Sequence, residues 1–276
     1  MSVRPDSLPP KALVAVVAVP ALPGASAYDS AGGTERLVAA ALEDARLYAE
    51  AGADALLLEN SWDLPYIKPP LPEAAVTAIT EVAHAVRAAW PGPLGLQLLE
   101  AANLQALDVA AAAGLDFLRV EGYVFAHIGG AGLIEGCAGA LLRRRRELDA
   151  GRVCIWADLK KKHCSHALTG DQDIGEHARQ AELFRADGLI VTGNFTGEPP
   201  APQDLHAVAK AAPGCRVLTG SGLTVDNLEQ LMPHADGFIV GSAFRQGGRF
   251  LAPTEPGRLR AFAEAFRRRR NLLLAA

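Results

Sequence analysis

The sequence predicts an α/β fold, a single (β/α)8 (TIM) barrel over residues 1–276 with its core at about 13–270. Three observations carry that expectation. The length of 276 residues is close to the ~250 typical of this barrel. Eight short runs rich in Val, Leu and Ile alternate with eight amphipathic segments along the chain, the pattern of repeated strand–helix units. Two glycine-punctuated strand ends then stand close together near the C-terminus, Val217-Leu218-Thr219-Gly220-Ser221-Gly222 and Phe238-Ile239-Val240-Gly241-Ser242. In such barrels the loops after the seventh and eighth strands often gather a phosphate on backbone N–H groups. Gly220, Ser221, Gly222, Gly241 and Ser242 are therefore expected to bind phosphate. No GxGxxG follows the first strand, which argues against a dinucleotide fold.

The first run, 13–19, admits two readings. Arg4 and Lys11 precede it and Ala25-Ser26-Ala27 imitates a signal-peptidase site. Pro20 and Pro23 would interrupt a signal core, however, and the Val content suits a strand. An inner barrel strand and a cytoplasmic protein are the expectation. The next strands are expected at 55–58, 94–99, 117–121, 153–158, 189–192, 216–218 and 238–240. Amphipathic periodicity predicts helices at 34–50, 72–90, 102–113, 134–149, 171–186, 202–212, 224–232 and 256–269. Four strands follow a similar turn: Ala51-Gly52-Ala53-Asp54, Ala113-Gly114-Leu115-Asp116, Ala186-Asp187-Gly188 and Ala235-Asp236-Gly237. Where Gly lies between the small residues it can end the helix in the left-handed region, and the acidic residue leads into the strand. Basic runs at 143–146 and 267–270 fall late in helices, where cations complement the helix dipole.

A net charge of −4 gives no reason to expect nucleic acid or an anionic membrane as partner, and no stretch reaches the ~20 apolar residues of a membrane span. Cys137, Cys154, Cys164 and Cys215 form no CxxC pair, which disfavours a disulfide framework or structural zinc. No metal or cofactor is expected. A metal site from Glu59, Glu100 or the loop histidines would lack supporting ligand spacing.

Polar residues at strand ends are the candidates for chemistry, because active sites of this fold lie at the C-terminal rim. The strands end in Glu59-Asn60, in Gln97 and Glu100, in Arg119 and Glu121, in Asp158-Leu159-Lys160-Lys161-Lys162-His163, and in Thr192-Gly193-Asn194. Residues two apart in a strand share a face. Arg119 with Glu121, and Asp158 with Lys160, are thus expected to point into the mouth, with Lys161 toward the helices or solvent. Asp158 and Lys160 suit proton transfer; the alternative is a structural ion pair. Glu59, Arg119, Glu121 and His166 complete the expected catalytic set. Asn60, His127, His163, Thr192 and Asn194 are expected to contact the ligand.

Several stretches together resemble the BtpA family. They are Pro20-Ala21-Leu22-Pro23-Gly24, Glu59-Asn60 with Asp63-Leu64-Pro65-Tyr66, Phe117-Leu118-Arg119-Val120-Glu121-Gly122 and Phe125-Ala126-His127. Further on come Asp158-Leu159-Lys160-Lys161-Lys162-His163 with Ser165-His166-Ala167, Val191-Thr192-Gly193 with Thr196-Gly197, and the two glycine turns. The Lys-Lys-Lys-His run with Ser-His-Ala is the most specific. The resemblance implies kinship with phosphate-binding barrels and a metabolic role on a small phosphorylated compound. Two departures stand out: Ala18 where many relatives have His, and Gly129-Gly130-Ala131 where many have an acidic residue. Two functional readings follow. One is an isomerase or lyase acting on a phosphorylated sugar or nucleoside-like compound. The other is a non-catalytic ligand-binding or complex-assembly factor, as in the photosystem-biogenesis role that gives the family its name. The expected partner is a small phosphorylated ligand, with self-association left open.

Overall fold

The computed structural model describes residues 8–275; Arg4 lies outside them. Eight parallel strands close into a barrel, and a two-stranded hairpin sits above it. The strands are β1 (Ala12–Ala18), β2 (Ala55–Glu59), β3 (Leu94–Gln97), β4 (Phe117–Val120), β5 (His127–Gly129), β6 (Gly132–Ile134), β7 (Cys154–Leu159), β8 (Gly188–Val191), β9 (Arg216–Thr219) and β10 (Gly237–Val240). Around the barrel they run β1-β10-β9-β8-β7-β4-β3-β2, with β5 and β6 forming the hairpin. The outer layer comprises α1 (Gly33–Ala51), α2 (Glu73–Ala89), α3 (Asn103–Ala113), α4 (Ala138–Glu147), α5 (Ile174–Leu183), α6 (Pro202–Ala211), α7 (Leu228–Leu231) and α8 (Pro256–Ala275). No helix among the described residues is long and apolar enough to cross a membrane.

The first apolar run closes the barrel as β1, paired with β10 on one side and β2 on the other. Its residues alternate as strand geometry requires. Ala12, Val14 and Val16 join the barrel interior, while Leu13, Ala15 and Val17 join the layer between sheet and helices. Phe117 and Trp156 fill the interior, their rings stacked at 3.9 Å between centroids. Gly95 makes room for them: a Cβ there would lie 2.1 Å from the Phe117 ring.

The four recurring acidic turns share one physical cause. Asp54 accepts the N–H of Leu13 at 2.8 Å, Asp116 that of Leu94 at 2.9 Å, Asp187 that of Ile155 at 2.8 Å and Asp236 that of Val217 at 2.9 Å. Each aspartate thus fastens the start of the neighbouring barrel strand. Gly52 and Gly114 end their helices with positive φ, as the turns require.

Three expectations change. The segment 134–149 is not helical throughout; the hairpin takes its first residue and α4 begins at Ala138. The segment 171–186 contracts to α5, which Asp173 and Glu176 start with a reciprocal capping box. The segment 224–232 holds only the short α7 between two 3-10 turns.

Candidate active site

The inward file of three strands turns acidic or basic at the C-terminal rim. Above Leu57 comes Glu59, above Phe117 comes Arg119, and above Trp156 comes Asp158. Arg119 and Asp158 form a bidentate pair between the adjacent strands β4 and β7. Nε donates to Oδ2 at 2.8 Å and an Nη to Oδ1 at 3.0 Å, with side-chain exposure of 4% and 0%. Burial works against the Arg119 charge, yet Asp158 at hydrogen-bond distance holds it firmly protonated. Asp158 is therefore committed to Arg119 and not to a lysine.

Beside this pair stands a second ionic group. Lys161 donates to Glu100 at 2.8 Å and lies 3.0 Å from Glu121, all three buried. Burial alone would lower the Lys161 pKa, but the two carboxylates outweigh it and keep the amine charged. Burial also raises Glu121 above the usual carboxylate range. For Glu100, burial is overcome by Lys161 and by the Ala131 N–H, so its pKa falls. Gln97 completes the shell with a 2.9 Å hydrogen bond to Glu121.

Strand alternation stops with the strand, and Lys160 and Lys161 exchange their expected places. Chain pairing stops at Leu159, and Lys160 takes φ +44°, which breaks the alternation. Lys160 is half-buried and donates to the Gln172 carbonyl, away from the mouth, whereas Lys161 turns inward.

Lys162 is the residue that the sequence reading passed over. It lines both the cavity at the barrel mouth, about 390 Å3, and the cleft beneath the two glycine turns. Its amine makes no hydrogen bond or ion pair among the described residues. Burial, and then the Arg119 charge, lower its pKa from 10.5 to about 8. Only the run of three lysines signalled it, and the run could not say which amine faces the cavity.

Glu59, Arg119, Glu121 and His163 line the mouth. His163 accepts the Thr196 N–H at 3.1 Å, and its pKa is lowered by burial and by Lys162. Gly220, Ser221, Gly222, Gly241 and Ser242 all line the cleft, with Lys162, Arg119 and Arg245 as nearby cations. The N–H groups of Ser221, Gly222, Ser242 and Ala243 have no acceptor among the described residues. Gly220 differs, because its N–H is bound to the Val191 carbonyl at 2.8 Å. Its lack of a side chain answers to packing, since a Cβ would lie 2.5 Å from Ile190 and 2.8 Å from Thr192.

Six expected residues lie elsewhere. Asn60 clasps the chain at Leu99, accepting its N–H at 2.7 Å and donating to its carbonyl at 3.1 Å. His127 and His166 pack together at 5.5 Å between ring centroids, in a small pocket behind the Lys161 group that also holds His177. His166 bonds the Lys161 carbonyl at 2.8 Å. Burial lowers the His127 pKa to about 4, so the ring is neutral at ordinary pH. Thr192 and Asn194 line a groove with Lys160 and the starts of α5 and α6. Strand twist and loop turns decide these placements, and neither is written in residue type. The two departures also find their places. Ala18 lines an outer cleft against α1, not the mouth. Glu100 abuts the 129–131 turn, where a Cβ on Gly129 would lie 2.3 Å from its Oε1, so this chain already has a carboxylate there. Among the described residues no group of three or more His, Cys, Asp or Glu is placed to hold a metal.

The model of the BtpA family matches residues 9–268. The chain belongs to the BtpA family. A mitochondrial protein of Caenorhabditis elegans is 38% identical over 252 residues, covering 90% of each chain. The photosystem I biogenesis protein BtpA of Synechocystis is 34% identical over 234 residues, 85% of this chain and 81% of that one. Among solved structures, phosphoribosyl anthranilate isomerase from Thermus thermophilus aligns with a TM-score of 0.57 at 16% identity, covering 93% of this chain and 98% of that one. That likeness shows the (β/α)8 fold.

Proposed function

We propose that this BtpA-family protein is a metabolic enzyme acting on a small phosphorylated sugar or nucleoside-like compound, by proton transfers of isomerase or lyase type. The observation that carries this reading is the continuity of the two cavities. Glu59, Arg119, Lys162, Thr196 and Phe250 line both, so a molecule with its phosphate in the cleft extends directly over the charged mouth. The unpaired N–H groups of Ser221, Gly222 and Ser242, which line the cleft, and the nearby cations suit a phosphate. The mouth offers an amine able to exchange protons near neutral pH, a carboxylate in Glu59, and fixed positive charge for a developing oxyanion. The name of the structural neighbour, a phosphoribosyl anthranilate isomerase, is consistent with a phosphorylated substrate on this scaffold.

Differential scanning fluorimetry tests the phosphate end. Inorganic phosphate and dihydroxyacetone phosphate should raise the melting temperature with concentration, as ligands of the native state do. Ser242→Asp places a negative charge at the cleft and should abolish the shift, whereas Lys160→Met, outside the site, should preserve it. Equal shifts in wild type and Ser242→Asp would remove the cleft as the phosphate site.

A further inference from the structure

We propose that Lys162 is a covalent nucleophile that forms a Schiff base with the carbonyl carbon of a phosphorylated ketone or aldehyde; this rests on the reading that such a compound occupies the joined cavities. Three features of its surroundings single it out. Of the three consecutive lysines, Lys160 is bound to a backbone carbonyl and Lys161 is held between Glu100 and Glu121, while the amine of Lys162 has no hydrogen-bond or ion-pair partner among the described residues. Its neighbour in the barrel is Arg119, whose guanidinium is fixed by Asp158 and cannot withdraw. Glu59, Asp158 and Glu121 favour the charged form, but burial first and the Arg119 charge second outweigh them and leave the amine easier to deprotonate than a free lysine, as nucleophilic attack requires. Position adds the third feature. Lys162 lines both the phosphate cleft and the mouth, so a compound anchored by its phosphate brings a nearby carbonyl to this amine.

The chemistry balances without a cofactor. The amine nitrogen attacks the carbonyl carbon and forms a C–N bond while the C=O π bond breaks onto oxygen, and one proton passes from nitrogen to that oxygen to give a carbinolamine. Further protonation expels that oxygen as water, leaving an iminium on Lys162. The iminium then withdraws electrons from the adjacent carbon, easing loss of a proton or cleavage of a C–C bond there. Glu59 lines both cavities with Lys162 and hydrogen-bonds Ser61 at 2.6 Å, so a carboxylate stands near to move protons. This assigns the substrate class as carbonyl compounds bearing a phosphate, and the reaction class as imine-mediated proton transfer or carbon–carbon cleavage.

Borohydride trapping provides the test. The full-length protein is incubated with dihydroxyacetone phosphate or ribulose 5-phosphate and reduced, then digested and mapped by mass spectrometry. A stable adduct should appear on Lys162, adding the mass of the compound less one oxygen atom. Trapping should be lost in Lys162→Met and kept in Lys160→Met. It should weaken with added inorganic phosphate, and with dihydroxyacetone in place of its phosphate. The rate should climb with pH toward a plateau above pH 8, as the amine deprotonates. A melting-temperature rise with these compounds but no adduct would overturn the Schiff base and leave Lys162 as a phosphate counter-ion. An adduct spread over several lysines would overturn it too. An adduct at Lys162 indifferent to phosphate would keep the nucleophile and overturn the phosphate reading. Neither adduct nor melting shift would overturn both.

Discussion

Asp158→Ala should destabilise the protein by about 3–5 kcal/mol, because it leaves a buried guanidinium without its carboxylate. Arg119 and Asp158 are 4% and 0% exposed, and both oxygens of Asp158 are bound to the one guanidinium. Glu59 and Glu121 also face Arg119 and will soften the loss, but neither makes a hydrogen bond to it. Removing both partners together, as Arg119→Met with Asp158→Leu, should recover much of the stability, since an apolar pair needs no desolvated charge. Urea denaturation of the wild type and the two variants measures this directly. A single-variant loss below ~1 kcal/mol, the size of an exposed ion pair, would mean the charges are solvated and the barrel interior wetter than the structure shows.

The second large effect concerns Lys161. Lys161→Met leaves Glu100 and Glu121 buried side by side without the amine that pairs them both, with Arg119 as the remaining cation near Glu121, and should cost about 3–5 kcal/mol near neutral pH. The loss should depend on pH in a defined direction. Without Lys161 both carboxyls titrate above their usual range in the folded state, so the folded protein binds more protons than the unfolded one and its stability falls as pH rises through that range. The deficit of the variant therefore shrinks as the pH is lowered toward ~4.5 and grows toward neutrality. In the wild type Glu100 behaves oppositely. Its folded pKa lies below the usual value of 4.5, so its contribution is present above that value and fades on acidification. Melting curves of both proteins across this range provide the measurement. A deficit that does not change with pH would show that Lys161 acts by packing its stem and not by charge.

The barrel was largely legible in residue order. Strand periodicity placed Arg119 and Asp158 on the inward file, and the structure puts them there above Phe117 and Trp156. The recurring acidic turns were visible as a pattern, though not their cause, because the N–H each aspartate accepts lies 19–41 positions away. The glycine turns were read correctly as neighbours, but not the reason for Gly220, which yields to Ile190 and Thr192 of the adjacent strand and its end. The lysine run marks where local reasoning ends. Alternation holds only while the chain is extended, and one left-handed residue at Lys160 exchanged the places of Lys160 and Lys161. The hairpin of β5 and β6 was hidden for a similar reason, since its three-residue strands are too short to show a period.

Cleft and mouth, as proposed here, form one substrate site, with phosphate at the glycine turns and Lys162 at the junction. A crystal structure of the protein grown with dihydroxyacetone phosphate tests it most directly. The predicted result places the phosphorus within hydrogen-bond reach of the Ser221, Gly222, Ser242 and Ala243 N–H groups, and the carbonyl carbon toward Lys162. Phosphate bound instead in the groove between α5 and α6, among Lys160, Arg179 and Lys210, would contradict the account.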